Sequence, residues 1–264
     1  MASTLLGRKV EVIVANRIFT FPELYMEFTV KFDADNVPDE VTCDLYNLSD
    51  DSMASIQRGQ SITINAGYGS DIGSVCEGVV TDVTSSISET DTIFHIKALN
   101  ISDQYLKMKV NKSYEANTTA TYIMKDLASL LGLKFDILSV KQDVTYPRGY
   151  YANGSFQDVI ADLVDDCSSL FIVTGASLTV IPGWSGYTYG FAMDAEHGLI
   201  SIEPLDRNDT PAKYKITCLL THGIQPYTFL DLKSKLVSGR MLVAEGQHSL
   251  NGSDFTTECE IIPI

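Results

Sequence analysis

Four histidines, His95, His197, His222 and His248, are the side chains of this 264-residue chain best suited to proton transfer or metal ligation near neutral pH. None has a His or Cys two to four positions away, the spacing that lets one strand or helical turn present two metal ligands. His95 alternates with Phe94 and Ile96 and reads as a structural or surface residue of a strand. The adjacent acids Asp50-Asp51 and Asp165-Asp166 are the type of pair that could serve a glycosidase, but adjacent acids are expected among 34 carboxylates. They read as helix-end or solvated charges. Gly67, Gly69 and Gly73 miss the dinucleotide-binding spacing by one residue and open no amphipathic helix, so a surface turn is the expectation. The chain has no GxxxxGK[ST], HExxH, GxSxG or CxxC motif. Five widely separated cysteines, Cys43, Cys76, Cys167, Cys218 and Cys259, read as buried free thiols. The expectation is a protein without catalytic, cofactor-binding or metal-binding residues, and not an enzyme.

Composition narrows the function further. The 34 Asp and Glu against 19 Lys and Arg leave a formal charge of −15, while 45% hydrophobic residues describe a chain that folds around a core. A protein that grips a nucleic-acid duplex clusters positive charge on the phosphates, and this balance argues against one. The first residues lack the charged and apolar pattern of a secretory leader, and no run approaches the ~18 apolar residues of a membrane span. Synthesis and assembly in the cytoplasm, with no membrane contact, is the corresponding expectation.

Three regions must position whatever the chain does. From Lys9 to about Asn100 the pattern is period-2: Val10, Val12 and Val14, then Phe28, Val30 and Phe32, then Val41–Tyr46, Ser61–Tyr68, Cys76–Val83 and Ile93–Leu99. A short helix over Asp50–Ile56 with Ser49 or Asp50 as N-cap interrupts these strands. From about Thr118 to Pro182 the period becomes helical. Ala120, Ile123, Met124, Leu127, Leu130 and Leu131 form one apolar face closed by Gly132. A second helix starts at Ser155, with Asp158 in the capping-box position and Phe156, Val159, Ile160, Leu163, Val164 and Cys167 on its apolar face. Ile123, Met124, Asp126, Leu127 and Phe135 align at constant offset with Val159, Ile160, Asp162, Leu163 and Phe171, which suggests a duplicated helix–strand unit. Beyond about Leu199 strands return, over Leu199–Ile202, Tyr214–Leu220, Thr228–Leu232, Gly239–Ala244 and Phe255–Ile262. The fold class expected is α+β, mainly β: two small antiparallel β-barrel domains, residues 1–105 and 196–264, flanking an α/β insert over 106–195.

On these residues the chain resembles the baseplate hub proteins of long-tailed bacteriophages, of the phage Mu type. The resemblance rests on Asn47-Leu-Ser49, Ile56–Gln60, Ile62–Tyr68 and Glu77–Val80 in the first region and Tyr151–Ile160 with Leu178–Ile181 in the insert. In the last region it rests on Gly198–Ile202, Tyr214–Leu220, Ile224–Pro226, Gly239–Val243 and Gly246–His248. It implies a homotrimer in which each subunit gives two barrels to a ring, joining the six-fold tail tube or distal tail protein to a three-fold spike protein, with a tape measure protein as a further partner. DNA would pass through the channel without specific binding, and a lumen lined by carboxylates would repel its phosphates. The place implied is the tail baseplate of the virion.

Two other classes remain open on the residues alone. A virion carbohydrate-binding β module would use exposed aromatics, with Trp184, Tyr187 and Tyr189 as candidates. An acidic glycoside hydrolase would use a carboxylate pair.

Overall fold

The computed structural model describes residues 7–33, 38–88, 90–101, 108–174, 177–183, 190–206 and 211–264. The chain forms two compact units. One combines Met1–Asp33, Asp39–Asn100 and Tyr187–Ile264, and the other Ala34–Pro38 with Ile101–Gly186. The first third contributes β1 (Arg8–Val14), β2 (Arg17–Phe21), β3 (Met26–Phe32), β4 (Glu40–Tyr46), helix α1 (Asp50–Ser55), β5 (Ser61–Tyr68), β6 (Asp71–Ser88) and β7 (Asp91–Leu99). The middle contributes β8 (Lys109–Tyr114), β9 (Thr118–Thr119), α2 (Ala120–Leu130), β10 (Lys134–Leu138), β11 (Thr145–Tyr146), β12 (Tyr150–Ser155), α3 (Phe156–Asp166), β13 (Leu170–Thr174) and β14 (Ser177–Ile181). The last part contributes β15 (Gly190–Met193), β16 (Leu199–Pro204), β17 (Tyr214–Leu219), β18 (Phe229–Lys233), β19 (Ser238–Asn251) and β20 (Asp254–Pro263).

The mainly-β class holds, and the first unit is one 13-stranded sheet with the path β16-β17-β20-β19-β3-β4-β7-β6-β5-β1-β2; β18 joins β19 and carries β15. The two β regions expected as separate barrels are hydrogen-bonded to each other through β19 and β3, and among the described residues the strand order ends at β16 and β2. Alternation along each strand buries one face: Val10, Val12 and Val14 of β1 and Met26, Phe28, Val30 and Phe32 of β3 all point inward. Two hydrophobic cores result. Val12, Val30, Leu45, Ile64 and Ile96 centre the first, and Ile216, Leu230, Val243 and Ile261 the second. They trade residues, since Leu220, Leu250 and Phe255 complete the first core while Phe32 enters the second.

Strand β19 makes this exchange possible. Its first half pairs with β18, Leu242 opposite Phe229, and its second half pairs with β3, from Gly246 opposite Phe32 to Leu250 opposite Phe28. Strand β20 runs beside both halves, with the register shifting between Val243 and Glu245. That bulge re-aims the strand from one core to the other. Gly246 sits just past it, where a β-carbon would collide with the Glu258 carbonyl oxygen and lie 2.7 Å from Phe32 Cζ and 2.8 Å from Cys259 Cβ.

The second unit contains the duplication that the apolar spacing suggested. Helices α2 and α3 each have 11 residues and are displaced by 36 positions (156 − 120), as are β10 and β13 (170 − 134). Their N-caps Thr119 and Ser155 each accept from the backbone N–H three residues on, and the residues after their C-caps, Gly132 and Ser168, both have positive φ, 72° and 51°. The halves are related by a local two-fold axis. Tyr114 lies opposite Tyr150, its own counterpart, in the antiparallel β8–β12 ladder. The same register carried onward gives the β9–β11 pairs, Thr119 with Thr145 and Thr118 with Tyr146. The bond from Phe156 N–H to the Met108 carbonyl (3.0 Å) has its counterpart in that from Ala120 N–H to the Val144 carbonyl (2.8 Å). Parallel pairing of β10 with β14, which also pairs with β13, forms a three-stranded sheet beside the helices. The apolar helix faces are buried as expected at Ile123, Met124, Leu127, Val159, Ile160 and Leu163. Leu130 departs from the expectation: it is 62% exposed, and Ala128 takes the inward place because the helix face rotates past Leu130 in its last turn.

Two substitutions test these assignments. Gly246→Ala should lower unfolding stability in a denaturant titration by about 2–4 kcal/mol, as overpacking against backbone does. Ser168→Gly should raise it by about 0.5–1 kcal/mol, because glycine bears the left-handed conformation without the β-carbon penalty.

Candidate functional site

The four histidines and the two acid pairs lie at six separate places in the fold. His197 donates from Nδ1 to Asp194 Oδ1 at 2.7 Å, where Asp194 also caps a short 3-10 turn. His222 Nε2 lies 3.1 Å from Asp71 Oδ1. Asp50 and Asp51 occupy the first turn of α1, where the helix dipole favours acids, and Asp51 accepts from Arg17 at 2.8 Å. Asp165 and Asp166 lie at the unfavourable C-terminal end of α3, and Asp166 accepts from the Tyr146 hydroxyl at 2.7 Å. Gly69 lies in the β5–β6 hairpin turn, just past the Tyr68–Asp71 pair, Gly67 and Gly73 lie on the strands opposite Ile72 and Ala66, and no helix follows to hold a phosphate. All five cysteines are buried and free. Trp184, Tyr187 and Tyr189 lie outside the described residues.

His248 is fully enclosed on β19, between the two cores. Carbonyl oxygens only accept, so Nε2 carries the proton and donates to the Ile224 carbonyl at 3.1 Å, leaving Nδ1 to accept from the Thr257 hydroxyl at 2.8 Å. Thr257 Oγ1 in turn accepts from Thr221 N–H at 3.1 Å. Burial disfavours the imidazolium and lowers the His248 pKa to about 3, and nearby His222 acts in the same direction.

Spacing along the chain hides one constellation. Asp44 on β4 faces His95 on β7, and Ser86 follows on β6. His95 Nδ1 donates to Asp44 Oδ1 at 2.8 Å, and Ser86 Oγ lies 2.8 Å from Nε2. The order matches a Ser-His-Asp relay. Ser86, Thr84 and Ser88 are exposed on the strand, so water competes for the hydroxyl and screens any charge that acyl transfer would develop. The arrangement works here as a surface hydrogen-bond chain. Among the described residues no cluster of three or more His, Cys, Asp or Glu could hold a metal ion, and no helix is long and apolar enough to cross a membrane.

The larger feature is the polar face of the sheet, opposite the cores. Register places Glu203 beside Lys215, Lys215 beside Glu260, Glu260 beside Glu245, and Gln247 between Glu258 and Lys31. It continues through Thr29 and Thr42 to Lys97 and Asp82, with Glu27 beside Asp44 on the same face. Two lysines are engaged: Lys215 lies 2.8 Å from Glu258, and Lys31 2.9 Å from Glu40. A charged cleft of about 330 Å³ opens on this face over Lys31, Asp33, Lys215, Glu245, Gln247 and Glu258. Carboxylates outnumber amines along the strip, so the face presents a negative potential with a Debye reach of about 8 Å at physiological salt.

No protein-family profile and no curated protein sequence matches the chain. Its fold, however, is that of phage tail proteins. The 43 kDa tail protein of prophage MuSo2 from Shewanella oneidensis superposes with a TM-score of 0.71 at 10% identity, covering 97% of each chain. A tail protein from Neisseria meningitidis MC58 gives 0.67 at 10% identity over 97% of this chain and 96% of that one. The c3393 protein of E. coli, a type VI secretion system component described as similar to the T4 tail proteins gp27 and gp5, gives 0.65 at 9% identity over 96% and 76%.

The buried imidazole sets a pH dependence. His248 has a lower pKa folded than unfolded, so the unfolded chain binds more protons between about pH 6.5 and 3, and stability is lost as pH falls through that window. Denaturant titrations at pH 7 and 4.5 should differ by a His248 contribution of about 2–3 kcal/mol. His248→Gln should remove that part of the slope.

Proposed function

We propose that the chain is a structural baseplate hub protein of a long-tailed phage, which assembles as a homotrimeric ring around the channel through which DNA leaves. In this reading residues 1–105 and 196–264 give two β lobes per subunit and 106–195 form the insert. Three subunits then supply six similar lobes, which lets a three-fold ring meet a six-fold tube on one side and a trimeric spike on the other. Such a ring closes through a heterologous interface repeated three times. The tube or distal tail protein, the spike protein and the tape measure protein are the partners, and the place is the virion tail, assembled in the host cytoplasm. No catalytic step is assigned to the chain.

The observation that carries this reading is the single sheet shared by two cores, with a polar strip crossing it from β16 to β6 on which acids predominate. A wall of this kind suits a conduit. Two like charges 4 Å apart in water repel by about 1 kcal/mol, enough when repeated along a wall to keep phosphates from adhering without blocking passage. Superposition on two tail proteins, one of them from a prophage, over nearly the whole chain supports the same reading.

Mass measurement in solution combined with negative-stain imaging tests the assembly. A three-fold ring with a central hole is expected, and a stable monomer at micromolar concentration would sink the proposal. Charge reversal tests the wall: Glu245→Lys with Glu260→Lys should create salt-sensitive duplex retention on a filter that the parent protein lacks, since each added phosphate contact raises affinity at low salt.

A further inference from the structure

The two halves of the insert differ at one position in a way that packing does not explain. Capping geometry is alike in both, with Thr119 and Ser155 as N-caps. In α3 the third helical residue is Asp158, whose carboxyl bonds to the Ser155 hydroxyl while its backbone N–H donates to Ser155 Oγ at 3.1 Å. This is the stabilising arrangement for a helix start. The equivalent residue of α2, 36 positions earlier (158 − 36), is Tyr122, whose ring is 59% exposed. An acid from elsewhere covers this helix start instead: Asp143 accepts from Thr121 N–H at 3.0 Å and also bonds to the Thr121 hydroxyl. The Tyr122 side chain is thereby released from capping and stands in solvent at the edge of a groove.

Its surroundings have the make-up of a small polar-ligand site. The ring meets that of Tyr114 nearly at right angles, 87°, with centroids 6.5 Å apart. Tyr114 is held in place because its hydroxyl donates to Asp126 Oδ2 at 2.7 Å, and Lys112 Nζ donates to the same oxygen at 2.6 Å. Lys112 also stands 5.3 Å from the Tyr114 ring centroid. Beside this corner runs a groove of about 490 Å³ lined by Glu115, Asn117 and Thr118 together with Lys112 and the two tyrosines. The volume lies within the range of small-molecule sites.

We propose that this groove binds a saccharide, with Tyr122 as the stacking platform. One face of a pyranose ring carries C–H bonds that suit the negative face of an aromatic ring, and its hydroxyls need both donors and acceptors at the rim. Lys112, Asn117, Thr118 and Glu115 provide both. The carboxylates of Glu115 and Asp126 disfavour an anionic ligand such as a phosphate. Tyr114, which borders the platform, is fixed by its bond to Asp126 before binding, so its ordering adds no entropic cost. The site lies wholly in the insert and does not depend on the hub reading.

The test uses the full chain, an array of bacterial surface glycans, and titration with maltotetraose and the N-acetylglucosamine tetramer. Glycan binding should survive Tyr122→Phe within about three-fold and weaken at least about ten-fold in Tyr122→Asp. Tyr122→Asp should also equal or exceed the parent in thermal stability, because it restores the capping box of the other half. No glycan bound at millimolar concentration overturns the proposal. So does unchanged binding by Tyr122→Asp, or a loss of stability in that variant that would make the ring a packing element, or a Tyr122-dependent interaction with a protein in place of a glycan.

Discussion

A single antiparallel strand, β19, has to satisfy two hydrophobic cores, and most of the β unit follows from how it does so. Fourteen residues let it pair with β18 at one end and β3 at the other, while β20 accompanies both halves. The bulge at Val243–Glu245 turns it, and Gly246 admits the backbone and rings that crowd the turn. Phe32 and Leu250 then cross into each other's cores. Burial of His248 at this crossing is a consequence, since it faces inward against Phe32, and there the imidazole must remain neutral and fully hydrogen-bonded.

The same sharing gathers charge on the opposite face. Side chains alternate across a strand, so residues between the core positions project to the other side and form a polar strip from β16 to β6, while Leu242 and Ala244 of β19 stay buried. Part of the acidic excess behind the charge of −15 is placed by the register in rows, with like charges such as Glu245 and Glu260 directly opposed. Opposed like charges cost stability, a few tenths to about 1 kcal/mol for each pair. Their presence across several strands is consistent with a surface selected for its potential as well as for its fold.

In the insert, duplication supplies two equivalent frames, and only one retains the acid at the third helical position. The local two-fold axis through Tyr114 and Tyr150 holds both frames in one ladder. Divergence at Tyr122 is tolerated because Asp143 covers the helix start from another segment. Backbone strain shows the reverse case: Gly132 takes the left-handed conformation without cost, and Ser168 holds it with a β-carbon.

Much of this was legible along the chain, because strand alternation, helix caps and apolar helix faces are local signals. The helix start at Ser155, the first-turn acids of α1 and the buried valines of β1 follow from neighbours within a few residues. Strands β8 and β12 did not announce themselves, since Asn111, Lys112, Asn153 and Gly154 have low strand propensity and are held by pairing with each other. Leu130 looked like core and is exposed, because helix length and facing surface decide where an apolar stripe ends. The order in which residues occur determined the β–α/β–β succession, the acidity and the repeated helix–strand unit. Tertiary structure alone decided that the two β regions share one sheet, that Asp44, His95 and Ser86 meet, and that Glu203, Glu245, Glu258 and Glu260 gather on one face. Those outcomes depend on register between strands far apart in the chain, and a one-residue slip would have sent each of these side chains to the other side.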